Sequence, residues 1–220
     1  MITYEQIKND PEVHILIKKA DDVMTAIGYT EHCFAHVDKV AHTAYNILST
    51  LGFDERECEK AKIAGYLHDI GNVINRDDHA QSGGILAYSI LTRMNCDVED
   101  KADIITAVGH HDERTAFPVS NISAALILAD KTDVRANRVR NVTDVSSFDI
   151  HDRVNYSVKS SQIFVDAQTR EIKLSLTIDT NLCPVIDYFE IYSARMILCR
   201  KAAQRLNASF KLIINEQQLI

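Results

Sequence analysis

The sequence predicts a mainly α-helical fold, a helical bundle followed by a small C-terminal α+β extension of β-hairpin, long helix and strand. Three observations carry that expectation. Backbone breakers are scarce, with 7 Gly and 3 Pro in 220 residues, well below usual frequencies of roughly 7% and 5%. Apolar residues recur at helical spacing through about residue 140. Beyond about residue 158 the pattern changes to period-two alternation of β-branched and aliphatic residues, which marks strands.

Asp10 and Pro11 read as the cap and first position of a helix that carries Val13, Ile17, Val23, Met24 and Ile27 to a stop near Gly28. From about Thr30 to Leu51, His36, Val40, Thr43 and Ile47 share one helical face, ended by Gly52. A third helix is expected from Asp54 to Ile70, where Ala61, Ala64, Gly65 and His68 fall on one face and small side chains admit a neighbouring helix beside the histidine. Asp77 or Asp78 opens a helix through Met94, and Asp97 another through His110, with Glu99 and Asp100 favourable in its first turn. Ser120 introduces an apolar helix containing Ile122, Leu126, Ile127 and Ala129, with Asp130 at its end, expected to continue past Lys131 to Arg135.

The texture then changes. Asn141 to Asp149 reads as a polar loop and Asp149 to Ser157 as a short helix. Ser161–Val165 and Ile172–Ile178 read as strands of a hairpin turned at Asp166–Arg170, Pro184 to Leu206 as a long helix, and Phe210–Ile214 as one more strand. The expected division is residues 1–140 for the helical domain and 141–220 for the extension.

Composition narrows the function. The chain is 46% apolar and 25% charged, an ordinary globular balance. Its 31 acidic residues exceed 24 basic ones, for a net charge of −7. Affinity for nucleic acid or membrane surfaces is built mainly from clustered Lys and Arg, so general nucleic-acid binding and membrane attachment are not expected. The five cysteines are scattered and make no C-x-x-C, which suggests neither a disulfide framework nor a thiolate zinc site and fits a cytoplasmic location.

Nine histidines stand in the chain, most in its helical part. For His14 and His42 the expectation is a hydrogen-bonded core residue. His68-Asp69 differs, because a carboxylate buried unpaired at the end of an apolar helix is costly. A divalent cation offsets that cost, since imidazole and carboxylate together suit zinc, iron, manganese or nickel. His-Asp also occurs at His111-Asp112 and His151-Asp152, so context separates the three. His32 stands four residues before His36, a spacing seen in zinc sites, but the Glu of a zincin is absent between them.

That context is His36-Val-Asp-Lys-Val-Ala, then Ala64-Gly-Tyr-Leu-His-Asp-Ile-Gly71, then Leu128-Ala-Asp-Lys-Thr-Asp133. Over about residues 30 to 140 the pattern resembles the HD superfamily of metal-dependent phosphohydrolases. The resemblance implies an HD-domain helical bundle, with His36, His68, Asp69 and Asp130 as metal ligands. A subset of that family binds a second metal with extra histidines, which implies His79, His110 and His111 as further ligands and Asp69 as a bridge. The placement resembles both HD-GYP cyclic-dinucleotide phosphodiesterases and small HD hydrolases of dinucleoside tetraphosphates. The chain departs from the former in having no Gly-Tyr-Pro after His111, and from the family's usual Lys in having Asn72 after His-Asp-Ile-Gly.

The function so implied is hydrolysis of a phosphate ester or anhydride, in a nucleotide, by water activated at one or two divalent transition-metal ions (iron, manganese, nickel, cobalt or zinc), with Asp69 at the centre of the chemistry. The partner expected is a small phosphorylated molecule. Lys131 and Arg135 are the candidate cations for the substrate's phosphoryl oxygens, against a plainer reading as a basic helix end facing its own carbonyls. The extension contains no His beyond residue 158, and is expected to supply a pocket wall or a homodimer contact rather than metal ligands. The alternative function is a non-catalytic HD module that binds a nucleotide or mediates assembly.

Overall fold

A computed structural model of the chain describes residues 2–140, 148 and 150–220. It has the expected class: a helical bundle followed by a small four-stranded sheet covered by a long helix. The expected polar loop at Asn141–Asp149 lies, apart from Phe148, outside the described residues.

Helix α1 (Tyr4–Lys8) precedes the first expected helix. Thr3 and Gln6 form a reciprocal capping box that fixes its start, and it buries Tyr4 and Ile7. In α2 (Pro11–Ala26) the Asp10 carboxylate accepts from the Glu12 and Val13 amides. Helix α3 (Phe34–Thr50) begins later than expected, with Cys33 as its cap, so His32 precedes the helix that carries His36.

Helix α4 (Glu55–Leu67) lies against α3 so closely that a Cβ at Gly65 would sit 2.7 Å from Ala41 Cα. The helix expected to reach Ile70 stops at Leu67 instead. His68 is its cap, Asp69 leaves the helix (φ −97°, ψ 1°), and Ile70–Val73 make one 3-10 turn. Asn72 holds that turn, donating to the Asp69 carbonyl and to Asp69 Oδ1, each at 2.9 Å. A Cβ at Gly71 would collide with the His79 carbonyl oxygen, so the turn presses on the start of α5 (His79–Arg93).

Helix α6 (Val98–Gly109) packs on α5 and is capped by Asp97. In α7 (Asn121–Lys131) every residue from Ile122 to Ala129 is buried, as befits a helix apolar all round and enclosed by α3, α4, α6 and the C-terminal helix. The helix does not continue to Arg135. The Thr132 hydroxyl turns back to the Leu128 carbonyl at 2.7 Å, Asp133 is drawn to His36, and Arg135 is extended (φ −148°, ψ 142°).

Helix α8 (Ile150–Ser157) runs directly into β1 (Val158–Asp166), which pairs antiparallel with β2 (Glu171–Ile178) after a register shift between Val158 and Ser160. Helix α9 (Val185–Arg205) then crosses over to β3 (Ser209–Ile214), which lies parallel to β2 with Leu174 opposite Leu212. Parallel neighbours require such a crossover. A two-residue β4 (Gln217–Gln218) completes the order β1-β2-β3-β4. The alternation behind the strand expectation is the burial pattern itself, with Ile172, Leu174, Leu176 and Ile178 buried on β2. Helix α9 covers β3 and packs along α7, and one hydrophobic cluster runs from Ile7 and Val40 through Leu126 to Tyr192 and Leu212. Among the described residues, no helix is long and apolar enough to cross a membrane.

The contact between α3 and α4 yields a stability prediction. Gly65→Ala places a methyl against the Ala41 backbone, which cannot yield as a flexible side chain would. Chemical denaturation should show a loss of about 1–3 kcal/mol, the usual cost of overpacking. An unchanged midpoint would contradict backbone contact at this crossing.

Candidate metal centre

Five elements bring their chemistry to one place. His36 comes from the first turn of α3, His68 and Asp69 from the break after α4, His79 from the first residue of α5, His111 from just beyond α6, and Asp130 from the last turn of α7. His36, His68, His79 and His111 are all buried, as is Asp69.

The two oxygens of Asp69 face different histidines. Oδ2 lies 3.2 Å from His68 Nε2 and 3.6 Å from His36 Nε2, while Oδ1 lies 3.5 Å from His79 Nε2 and 3.8 Å from His111 Nε2. Asp130 Oδ1 closes the first group, 3.5 Å from His36 Nε2 and 3.8 Å from His68 Nε2. The ligand atoms of His36, His68 and Asp130 lie within 4.8 Å of one another, and so do those of His68, Asp69 and His111.

The donor chemistry fits a metal ion. The outer nitrogens of three histidines are held by backbone carbonyls: His68 Nδ1 by Gly65 at 2.8 Å, His79 Nδ1 by Arg76 at 3.0 Å and His111 Nδ1 by Val108 at 2.6 Å. A carbonyl only accepts, so each Nδ1 carries a proton and each Nε2 faces the cluster. Orienting an imidazole through its second nitrogen is the usual support for a metal-binding histidine. His36 is oriented differently, with Nδ1 2.8 Å from Asp133 Oδ2. Asp133 in turn receives Lys39 at 2.8 Å and Arg135 at 2.6 and 2.9 Å.

Electrostatics keep the carboxylates ionised. Burial pushes Asp69 up, but His68 and His111, acting through charge and hydrogen bonds, outweigh it and hold the group well below the usual carboxylate range. Burial likewise opposes ionisation of Asp130, where Lys131, 2.6 Å away, and the His36 hydrogen bond prevail. Burial lowers His79 to about 4 and also lowers His111, so both are neutral near pH 7 and present lone pairs.

The cluster opens into a cavity of about 450 Å³. All three His-Asp pairs of the sequence contribute to its wall, through Asp69, His111, Asp112, His151 and Asp152, with α8 supplying the last two. Helix α9 supplies Tyr192 and Arg195, so the C-terminal extension forms part of the wall.

Residues 33–138 match the family model described as the HD domain. That segment is an HD domain. The chain's similarity to curated proteins is more distant. It is 26% identical over 183 residues to the uncharacterized protein MJ1020 of Methanocaldococcus jannaschii, covering 73% of this chain and 70% of that one. It is 32% identical over 122 residues to Ribonuclease Y of Mycoplasma mycoides, which is 56% of this chain but 26% of that protein. Among solved structures, a predicted HD superfamily hydrolase from an uncultured Thermotogales bacterium matches with 27% identity and a TM-score of 0.45, over 61% of this chain and 75% of that chain.

Within this HD domain the structure gathers His36, His68, Asp69, His79, His111 and Asp130, and it separates two other expected site residues from them. His110 caps α6 and does not line the cavity, and its Nδ1 is buried without a hydrogen-bond partner among the described residues. Successive side chains at a helix end diverge by about 100°, so the backbone that turns His111 inward turns His110 away. Arg135 is folded onto Asp133, and with α7 ended at Lys131 it no longer shares a helical face with that lysine. Lys131 does line the cavity, bound to Asp130. His32 lies beside the cluster, its Nδ1 2.6 Å from the Thr30 carbonyl and its ring centroid 5.5 Å from that of His36. The sequence pattern assigned no role to Asp133, the second acid of the Asp130-Lys-Thr-Asp133 run.

Asp133 supports a prediction of its own. Burial raises its carboxyl, but the His36 hydrogen bond and the Arg138 charge hold it well below the usual range. Its contribution to stability is therefore present above an unfolded pKa of about 3.9 and is lost as pH falls through the lower folded value. Asp133→Ala should cost about 1–3 kcal/mol near neutral pH by leaving donors unsatisfied. It should also weaken metal retention roughly 10–100-fold by releasing the His36 ring. Denaturation and metal-competition titrations check both, and wild-type values in either would contradict this role.

Proposed function

We propose that this HD domain is a metal-dependent phosphohydrolase acting on a nucleotide, with a site for two divalent cations that share Asp69. The observation that carries the proposal is the division of the Asp69 oxygens between two sets of inward-facing imidazole nitrogens. His36, His68, Asp69 and Asp130 would hold one ion, and His79, His111 and Asp69 the other. Oxygen and nitrogen ligands without thiolate suit manganese, iron, cobalt, nickel or zinc. When bound, such ions acidify water and neutralise charge developing on phosphoryl oxygens.

The chain's own residues have separate tasks. The backbone carbonyls of Gly65, Arg76 and Val108 fix the imidazole tautomers before any ligand arrives, so little reorganisation is required. Lys131 keeps Asp130 ionised. The apolar packing of α7 closes the site from behind, leaving the cavity as the approach for substrate and water. A volume of about 450 Å³ falls within the range of small-molecule sites, roughly 300–1,000 Å³. Its described lining sets Arg76, Arg114, Lys131, Arg138 and Arg195 among six carboxylates and two tyrosines, so with divalent cations on the acids it would suit a phosphorylated nucleoside, and the net charge of −7 disfavours a long nucleic acid held by its backbone. The similarity to Ribonuclease Y makes a short RNA phosphodiester a member of the substrate panel.

The test is elemental analysis of the purified protein together with hydrolysis of phosphomonoesters, phosphodiesters, nucleotides and short RNA in each candidate metal. Asp69→Ala is expected to lose both metal and hydrolysis, whereas His110→Ala should keep both. A wild-type protein that binds these metals yet hydrolyses none of the panel would contradict the enzymatic reading. Retention of metal by Asp69→Ala would contradict the shared ligand.

A further inference from the structure

The cavity carries several cations, and most are already held by carboxylates. Arg114 reaches Asp77 at 3.1 Å and Asp112 at 3.2 Å. Lys131 is 2.6 Å from Asp130, and Arg195 is paired with Glu113 through two hydrogen bonds. Arg138 donates to the backbone carbonyls of Asp133 and Glu31 at 2.9 and 3.0 Å and lies 3.9 Å from the Asp133 carboxylate.

Arg76 differs from all of these. It lines the cavity on the loop before α5 and is only partly buried, with no carboxylate in ion-pair range among the described residues. Its Nη1 donates to Asn72 Oδ1 at 3.3 Å and lies 3.4 Å from His79 Nε2. The guanidinium carbon sits 5.4 Å from the ring centroid of Tyr29, which also lines the cavity. Arg76 thus stands beside the His79–His111 half of the cluster, steered by a side-chain amide and an aromatic ring, neither of which neutralises it. A planar cation with donors left over is the group best suited to phosphoryl oxygens.

We propose that Arg76 is the phosphate-binding residue of this site. It takes the phosphoryl group that lies against the His79–His111 half, while Tyr29 acts as a positioning residue through its ring. This assignment rests on the phosphohydrolase reading for its substrate class, and it replaces Arg135, which the fold directs to Asp133. No periodic or motif signal marks Arg76, because the turn at Asp69 and the Gly71 contact with α5 are what bring position 76 over the cavity.

The probe is inorganic phosphate, titrated calorimetrically into the 220-residue chain as purified, with the metal content of every variant measured alongside. Arg76→Ala is expected to weaken phosphate binding about tenfold or more at unchanged metal content, the effect of losing a charge-assisted contact. Arg76→Lys should recover part of that loss. Tyr29→Phe should bind phosphate as the wild type does, and Tyr29→Leu should bind it more weakly. Wild-type affinity in Arg76→Ala, or no phosphate binding by the wild-type protein, would overturn the assignment. The hydrolysis panel separates the two ideas. Phosphate binding that depends on Arg76 in a protein that hydrolyses nothing would sustain the anion site and overturn the phosphohydrolase reading, and hydrolysis indifferent to Arg76→Ala together with unchanged phosphate affinity would do the reverse.

Discussion

A carboxylate buried at the meeting point of five chain segments sets the terms for the rest of this molecule. Asp69 is 4% exposed, and an ionised group in that position is tolerated only when partners surround it. Four imidazoles, the Asn72 amide and a chain that leaves α4 one residue earlier provide them. Two glycines make the arrangement sterically possible. At Gly65 a side chain would press α3 away from α4, and at Gly71 it would push α5, and His79 with it, away from the turn. The helices are therefore packed around a polar centre, and their small contact residues follow from its dimensions.

The same centre links backbone conformation to chemistry. Each of His68, His79 and His111 stands at a helix boundary and returns its Nδ1 to a carbonyl three residues earlier. A carbonyl at a helix end or in a turn is free to accept because no intrahelical amide claims it, so the boundary itself selects the tautomer. His36 lies within the first turn of its helix and uses Asp133 instead, which brings Lys39, Arg135 and Arg138 into one charge network behind the site. Helix α9 then packs along α7 and carries Tyr192 and Arg195 to the cavity wall, so the C-terminal extension shares in the surface of the cavity.

The fold class was legible from periodicity because both regular patterns follow burial directly, as in the enclosed run Ile122–Ala129 and the alternating Ile172, Leu174, Leu176 and Ile178. What periodicity does not carry is where a helix ends for a reason outside itself. The break at Leu67 comes from Asn72 holding the Asp69 turn, a local side-chain contact beyond the helix, and the break at Lys131 from Asp133 drawn to His36, a tertiary one. The gathering of His36, His68, Asp69 and Asp130 was implied by the resemblance of their order and flanking residues to the HD superfamily. The separation of His110 from His111 depended on the angle at which α6 ends, and the prominence of Arg76 on which acids its neighbours had already met. Pairing among side chains distant in sequence is the part of a site that a linear pattern records least.

Anomalous scattering from crystals of the metal-loaded protein tests the central claim most directly. The account predicts two metal peaks flanking the Asp69 carboxylate, one beside His36, His68 and Asp130 and one beside His79 and His111, with ligand distances of about 2.0–2.2 Å for a zinc-like ion. Metal bound elsewhere, or a fully loaded protein with no peak within bonding distance of Asp69, would contradict it.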